Sequence, residues 1–483
     1  MSILVLDIGS SSVRALLFDE NARLIPGAVV SRLYEFETLP PGSATFHPLD
    51  LQRLTEACVD EILRHPEAAH IQAVGMDTFV GNILGVGLAG QPVTPGYSYA
   101  DTRSADDVAF LRGKIDLEAV HQRTGCIHHT AYLPGRLRWL RRTQPDLFNR
   151  VGKWIDFGAY LYSRWFSSVS TTYSVASWSG LLNRQTLAWD SEWLDLLEMK
   201  VQQFPPLVDY DEFEHGLRPD YAARWPALKN TPFYLPMGDG AAANVGSGAV
   251  TSAHMALTVG TTAALRIISD EQLPPVPTGL WSYRVNKSLH LIGGATTEGG
   301  NIFSWVRETL NLADLTAAEA DIANRPADGH GLTFLPLLAG ERSPGWSLHA
   351  SGAVVGLRLS TTSTDLLQAA LEGVALRLAL IAEQLRPMTG DNVNLMVSGG
   401  AVKKSRVWSQ IFANALNQPL HLLDEAEITA RGTAVMVLHA LNGAGLAQFP
   451  PQIETTLLPQ PAQVEALFHA RQRQINLYRK LIG

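Results

Sequence analysis

The chain has 483 residues, of which 46% are hydrophobic and only 17% charged, with a formal net charge of −8. That apolar content excludes a disordered chain, and the length suits two or three domains of about 150 residues. The acidic balance argues against general nucleic-acid or anionic-membrane binding. The 2 cysteines, Cys58 and Cys126, exclude a disulfide scaffold or a cysteine zinc cluster. Met1 to Asp7 enters an apolar run without a basic region, so no signal peptide is expected. No apolar stretch approaches the ~18 uncharged residues of a membrane span. The composition predicts a cytoplasmic α/β protein of several domains.

Residues 3–9 form a short apolar run that stops at the turn Gly9-Ser10-Ser11-Ser12. Residues 13–19 and 24–33 resume the apolar pattern, which predicts an antiparallel meander. Residues 49–64 place Leu51, Leu54, Cys58 and Ile62 at helical spacing after Pro48 and Asp50. Residues 71–76 are again β-rich and end at Asp77-Thr78, giving the order β-β-β-α-β before residue 80. The same order recurs later. Residues 256–259 run into Gly260-Thr261-Thr262, strands follow at 264–268 and 289–293, a long helix at 366–385, and a buried strand at 393–397. This repeat of element order places the division between halves near Gly248, with domains at 1–248 and 249–483.

Four segments carry candidate chemistry. In Asp7-Ile8-Gly9-Ser10-Ser11-Ser12-Val13-Arg14, small residues free backbone N–H groups for an anion, hydroxyls and a guanidinium add donors, and the carboxylate suits Mg²⁺. An ordinary serine-rich hairpin with a solvated Arg14 reads the same way. Val259-Gly260-Thr261-Thr262 is a second glycine-hydroxyl turn, and a nucleotide held between two domains needs one such loop from each side. In Met237-Gly238-Asp239-Gly240, Asp239 precedes a run of alanines that starts a helix; it reads either as the helix N-cap or as a carboxylate able to accept a hydroxyl proton. Val397-Ser398-Gly399-Gly400 opens a strand into a double glycine before a helix, which suits close approach of a flat ligand or a phosphate, or simple βα packing.

Other segments read as structural. His128-His129 lacks a partner pair at metal-ligand spacing and reads as a surface loop. Arg136, Arg138, Arg141 and Arg142 read as a solvated helix face. The tryptophans at 154, 165, 178, 189 and 193 read as packing, and Ser343 lacks the Gly-x-Ser-x-Gly elbow of a serine hydrolase.

Together these segments resemble the FGGY carbohydrate kinases, members of the actin-like ATPase superfamily, over roughly residues 3–442. The strongest match is the C-terminal signature: Gly352-Ala353-Val354-Val355-Gly356-Leu357 and, after an interval, Asp365-Leu366-Leu367-Gln368-Ala369-Ala370-Leu371-Glu372. The resemblance implies an α/β fold of two ribonuclease-H-like domains with ATP and Mg²⁺ in the cleft between them. Asp7 matches the metal-associated aspartate, Ser11 and Arg14 the first phosphate hairpin, and Gly260 and Thr261 the second. Gly300 and Ser304 fall where the glycerol kinase branch contacts nucleotide. Gly399 and Gly400 match the adenosine loop, and Lys404 takes a position that branch fills with asparagine. Asp239 matches the catalytic base.

For the substrate, Asp239 to Asn244, Leu338 to Pro344 and Tyr99 to Ser104 are most similar to the gluconokinase-type branch. That branch and the xylulokinases carry Met-His in a loop that here reads Asp77-Thr78-Phe79-Val80-Gly81-Asn82. The implied substrate-binding residues are Asp77, Val80, Gly81, Arg103 and Asp239. Arg103 is the candidate cation for a sugar acid, and Asp77 and Glu298 would oppose one if they faced the same pocket. The resemblance implies transfer of the γ-phosphoryl group of ATP to a small sugar, polyol or sugar acid, and leaves a homodimer open. Actin-like folds also serve filaments and chaperones, so a non-catalytic nucleotide switch is the alternative.

Overall fold

In the computed structural model, residues 1–482 are described apart from Asn311, Ala313, Leu348 and Asp391. Strand β1 (Ser2–Ile8) is buried along its whole length, as expected of an apolar run covered on both faces. It pairs antiparallel with β2 (Ser12–Asp19), which pairs antiparallel with β3 (Leu24–Leu33). Helix α1 (Pro48–Ile62) packs Leu51, Cys58 and Ile62 into the core beneath these strands. Strand β4 (Ile71–Thr78) then lies parallel to β1 on its other side. The sheet ends in an edge strand, β5 (Phe213–Glu214), which pairs with β6 (Phe233–Tyr234) beside β4, and β7 (Met237–Gly238) pairs with the end of β4. Helix α2 (Asp239–Gly246) follows without a break.

The second half repeats this plan. Strands β8 (His254–Val259), β9 (Ala263–Ser269), β10 (Trp281–Arg284) and β11 (His290–Thr296) form its antiparallel part, in the order β10-β11-β9-β8. Helix α3 (Asn301–Thr309) and the long helix α4 (Ser363–Leu385) follow. Strand β12 (Asn394–Ser398) returns parallel to β8, as β4 does to β1. Helices α5 (Gly400–Lys404) and α6 (Arg406–Leu416), strand β13 (Leu420–Leu423), helix α7 (Ile428–Asn442), strand β14 (Ile453–Leu457) and helix α8 (Pro461–Leu481) complete the chain. The element order read from the sequence is present in both halves; strands β5, β6, β7, β10, β13 and β14 are sheet members it did not anticipate.

Each sheet has its own core. A third core joins them: Ile3, Val5 and Leu16 of the first sheet and Ile268, Trp281 and Tyr283 of the second enclose α2 and α7. The two helices cross backbone to backbone. A Cβ on Gly432 would lie 1.8 Å from the carbonyl oxygen of Ala242, and one on Gly246 would lie 1.8 Å from that of Ile428. Only glycine at both positions allows this approach. The crossing carries α7, which belongs to the second half by sequence, onto the face of the first sheet.

Several segments read as exposed lie inside. Arg136 is 0% exposed and donates to the carbonyls of Gly81 and Thr130; Arg138, half-buried, and Arg142, exposed, both grip Asp107. Arg141 is exposed too, so the solvated helix face holds for Arg141 and Arg142 but not for Arg136. His128 is buried and stacks on Trp193, while His129 packs against Trp346. The polar tips of these side chains find backbone or acid partners, which the sequence pattern alone does not reveal.

Candidate active site

Three parallel strands, β1, β4 and β7, end at one edge of the first sheet, and each delivers an aspartate there. Asp7 is opposite Asp77 in the β1–β4 register, and Met237-Gly238 is opposite Asp77-Thr78, so Asp239 follows immediately. Asp7 and Asp77 are 1% and 0% exposed, whereas Asp239 keeps part of its surface open. Open α/β sheets place ligands at the carboxyl ends of their strands.

Burial raises the Asp7 carboxyl above its usual range, although the Arg14 guanidinium, 2.5 Å away, opposes the shift. Asp77 is pushed further up, first by burial and then by Asp7. Its Oδ2 accepts the Thr433 hydroxyl of α7 at 2.6 Å, and its buried Oδ1 has no donor partner. The charge of Asp7, which Arg14 favours, disfavours a second charge on Asp77, so Asp77 is shifted further than Asp7. The oxygen-only donor set and the orphaned Oδ1 fit a hard divalent cation such as Mg²⁺.

Asp239 is the first residue of α2, and the N-cap is Gly238, so the capping reading fails. Its Oδ1 instead accepts the N–H of Gly240 at 2.7 Å. Burial raises its carboxyl to about 6, while that N–H and Arg266 pull down and Asp7 pushes up. A carboxylate with this affinity is half ionised near pH 6 and mostly ionised at neutrality, as a general base needs.

The two glycine-hydroxyl turns have similar closures. Gly9 donates its N–H to the Ser12 carbonyl and Gly260 to the Thr262 carbonyl, both at 2.9 Å, with Ser11 and Thr261 exposed at the tips. The Tyr34 hydroxyl donates to the Gly9 carbonyl at 2.6 Å and holds the first turn against β3. Around the second turn, Gly300 N donates to the Gly260 carbonyl at 2.6 Å and Asn301 N to that of Thr261 at 3.2 Å. Gly399, at φ +114°, lies so close to β8 that a Cβ would meet the Val259 oxygen at 2.2 Å. Gly260, Thr261, Gly300, Gly399 and Gly400 are thus brought together, with Ser304 one turn along α3 and Lys404 at the end of α5, both exposed.

Arg14 bridges Asp7 and Glu427, the residue preceding α7, so the first phosphate turn and the second half share one guanidinium. Val80 lies over Gly238, where a Cβ would meet its Cγ1 at 2.9 Å, and Gly81, at φ +67°, borders Tyr99. Arg103 is turned away: it forms a bidentate pair with Asp101, Nη2 to Oδ2 at 2.5 Å, and lies 4.6 Å over the Trp139 ring. Asp77 and Glu298 are likewise buried away from a sugar acid, at 0% and 1% exposed, and Glu298 accepts the Ala339 N–H and the Thr297 hydroxyl. Cavities of about 290 and 260 Å³ lie elsewhere, one bordered by Arg406 and Gln460 and the other by Glu383 and Phe468.

Sequence reasoning missed Tyr34, Glu427, Thr433, Arg266 and Arg342, and assigned Trp178 to packing. Trp178 stacks on Tyr283 at 3.6 Å, and its ring abuts Gly238 and Gly240 beside Asp239. Arg266 left one signal, a charge inside the apolar run Ala263-Ala264-Leu265-Arg266-Ile267-Ile268. Glu427 and Thr433 left none, because their partners are more than 300 residues away.

This arrangement defines a phosphotransferase cleft built from two matching α/β halves. The model of the N-terminal domain of the FGGY family of carbohydrate kinases matches residues 2–246, and that of the C-terminal domain matches residues 255–441. The chain belongs to the FGGY family of carbohydrate kinases, with its two-domain, actin-like ATPase fold, and is an ATP-dependent sugar kinase. It is 25% identical to a gluconokinase of Bacillus subtilis (strain 168) over 450 residues, covering 91% of this chain and 87% of that one. It superposes on the crystal structure of gluconate kinase from Lactobacillus acidophilus with a TM-score of 0.91 at 26% identity, covering 99% and 98% of the two chains. A ligand-bound xylulose kinase from Lactobacillus acidophilus gives the same TM-score, 0.91, the same identity, 26%, and the same coverage, 99% and 98%. Among the described residues no helix is long and apolar enough to cross a membrane.

Proposed function

We propose that the protein transfers the γ-phosphoryl group of ATP to a hydroxyl of a small sugar or sugar acid, with Asp239 as the base. The observation that carries this reading is the convergence of Asp7, Asp77 and Asp239 on one sheet edge, with Asp239 alone accessible. Asp239 accepts the acceptor's proton, and the N–H of Gly240 fixes its orientation. Phosphoryl transfer needs little more from a base than position, because its transition state is loose.

The Gly9–Ser12 and Gly260–Thr262 turns offer backbone N–H groups and hydroxyls to the phosphates from opposite sides. Gly300, Gly399 and Gly400 leave room for the nucleoside, with Ser304 and Lys404 at its margin. Asp7 and Asp77 would hold Mg²⁺, which when bound offsets the charge on the phosphates. Val80, Gly81 and Trp178 wall the acceptor side. Arg14 and Glu427 link the phosphate turn to the second half, so closing the cleft and assembling the site are one event. The division between domains falls near Gly248, in the connection between α2 and β8.

The test is coupled ADP release over gluconate, xylulose, ribulose, glycerol and erythritol. Release well above the basal rate with at least one acceptor is expected. Equal release with and without every acceptor refutes the reading and leaves a nucleotide switch.

A further inference from the structure

The wall facing Asp239 across the cleft comes from the second sheet, and two arginines stand on it. Arg266, on β9, is opposite Gly293, which is opposite Trp281; Trp281 packs on Trp178 at 5.5 Å, and Trp178 abuts Gly240 beside Asp239, whose carboxyl Arg266 helps to lower. Arg342, in the loop after Leu338, precedes Ser343, whose N–H donates to the Ala295 carbonyl of β11 at 3.0 Å, two residues from Gly293, and its charge disfavours charge on both Arg266 and His129. Among the described residues neither guanidinium has a carboxylate within 4.0 Å. The chain's other inward-facing arginines are satisfied in one of two ways: Arg14, Arg103 and Arg377 are each paired with an acid, while Arg136, Arg184 and Arg284 donate to backbone carbonyls. Arg266 has only the Thr258 hydroxyl, 3.4 Å from Nη1, and its buried Nε has no partner.

The acids nearby are already engaged. Glu341, next to Arg342, is held by Arg377 and by the Tyr478 hydroxyl at 2.7 Å. Glu298 is held by Thr297 and Ala339, and Asp77 by Thr433. The remaining neighbours are neutral: Tyr132 and Tyr283 share a hydrogen bond at 2.6 Å, and burial drives His129 down to about 4. Two half-buried guanidinium groups without an acid partner cost folding free energy that an anionic ligand recovers on binding.

We infer that Arg266 and Arg342 receive the carboxylate of an open-chain sugar acid whose far hydroxyl is presented to Asp239. Trp178, stacked on Tyr283 and pressed against Gly240, lines the path between the two ends. The cation is therefore supplied by the second half, not by Arg103, and the two halves must close to read the whole acceptor. This rests on the kinase reading above and narrows its substrate class.

Wild-type protein is assayed for ADP release with gluconate and with sorbitol, its neutral counterpart, alongside xylulose. Gluconate is expected to give the highest kcat/KM. In Arg266→Gln and Arg342→Gln, the ratio of kcat/KM for gluconate to that for the best neutral acceptor falls at least about tenfold, the size of one lost charge-assisted bond. The KM for ATP stays within about twofold, and Arg342→Lys restores part of the ratio. A wild-type preference for a neutral acceptor overturns the inference while leaving the kinase reading intact. So does an equal loss on both acceptors, or a parallel rise in the KM for ATP, which would assign the arginines to phosphate. Should a variant fail to fold, calorimetry of gluconate against sorbitol on the intact wild type decides instead, and equal or absent binding overturns the inference. That titration also separates the two claims if no acceptor stimulates ADP release.

Discussion

Asp7 and Asp77 are register partners on adjacent parallel strands, and burial, together with the charge of the first, raises the second well above the usual carboxyl range. The pair is the strained part of the site. A carboxyl whose affinity for protons is raised on folding destabilises the native state once pH exceeds its unfolded value of 3.8, and the penalty grows until the folded group itself ionises.

Asp77→Asn removes that penalty and keeps an acceptor for the Thr433 hydroxyl. The metal-free variant is expected to melt about 1–4 °C above wild type at pH 8, with a smaller gain at pH 4. Its requirement for Mg²⁺ in ADP release rises at least about tenfold, because a second carboxylate is lost from the oxygen donor set. Scanning calorimetry at the two pH values, with a magnesium titration of activity, checks both parts. A variant no more stable than wild type at pH 8 contradicts the strain.

The pH profile follows from Asp239. Its carboxyl is raised to about 6, and the ionised form is the base, so activity is present above that value and lost as pH falls through it. The kcat/KM for the sugar should rise about tenfold per unit below pH 6 and flatten near pH 7. A profile flat down to pH 5 contradicts the assignment.

The crossing of α2 and α7 is tested by Gly432→Ala. The added Cβ would lie 1.8 Å from the Ala242 carbonyl, so the helices must separate. A loss of about 1–3 kcal/mol in urea unfolding is expected, the usual cost of overpacking. Because α7 also carries Thr433 to Asp77, the variant should lose activity beyond its loss of stability. A variant as stable as wild type would show that the helices can slide apart.

Much of this was legible in the sequence, and for local reasons. Apolar runs ending in Asp7-Ile8-Gly9 and Val259-Gly260-Thr261 announce strands and turns because a turn needs small residues where the chain reverses. Asp239 stood out as an acid between glycines at a helix start. What stayed hidden is tertiary. Glu427 on Arg14 and Thr433 on Asp77 depend on a helix that crosses between halves, and no local pattern marks such a partner. Arg103 misled because its neighbour Asp101 neutralises it through a two-residue loop, and Trp178 because a tryptophan lining a cleft has the same spacing as one in a core.

The central claim is that Asp239 takes the proton, and Asp239→Asn tests it most directly. With the sugar that wild type prefers, turnover at pH 8 should fall at least about a hundredfold while ATP affinity, read by calorimetry, stays close to wild type. Turnover within a few fold of wild type would remove Asp239 from the chemistry, and the convergence of three strands on that edge would need another purpose.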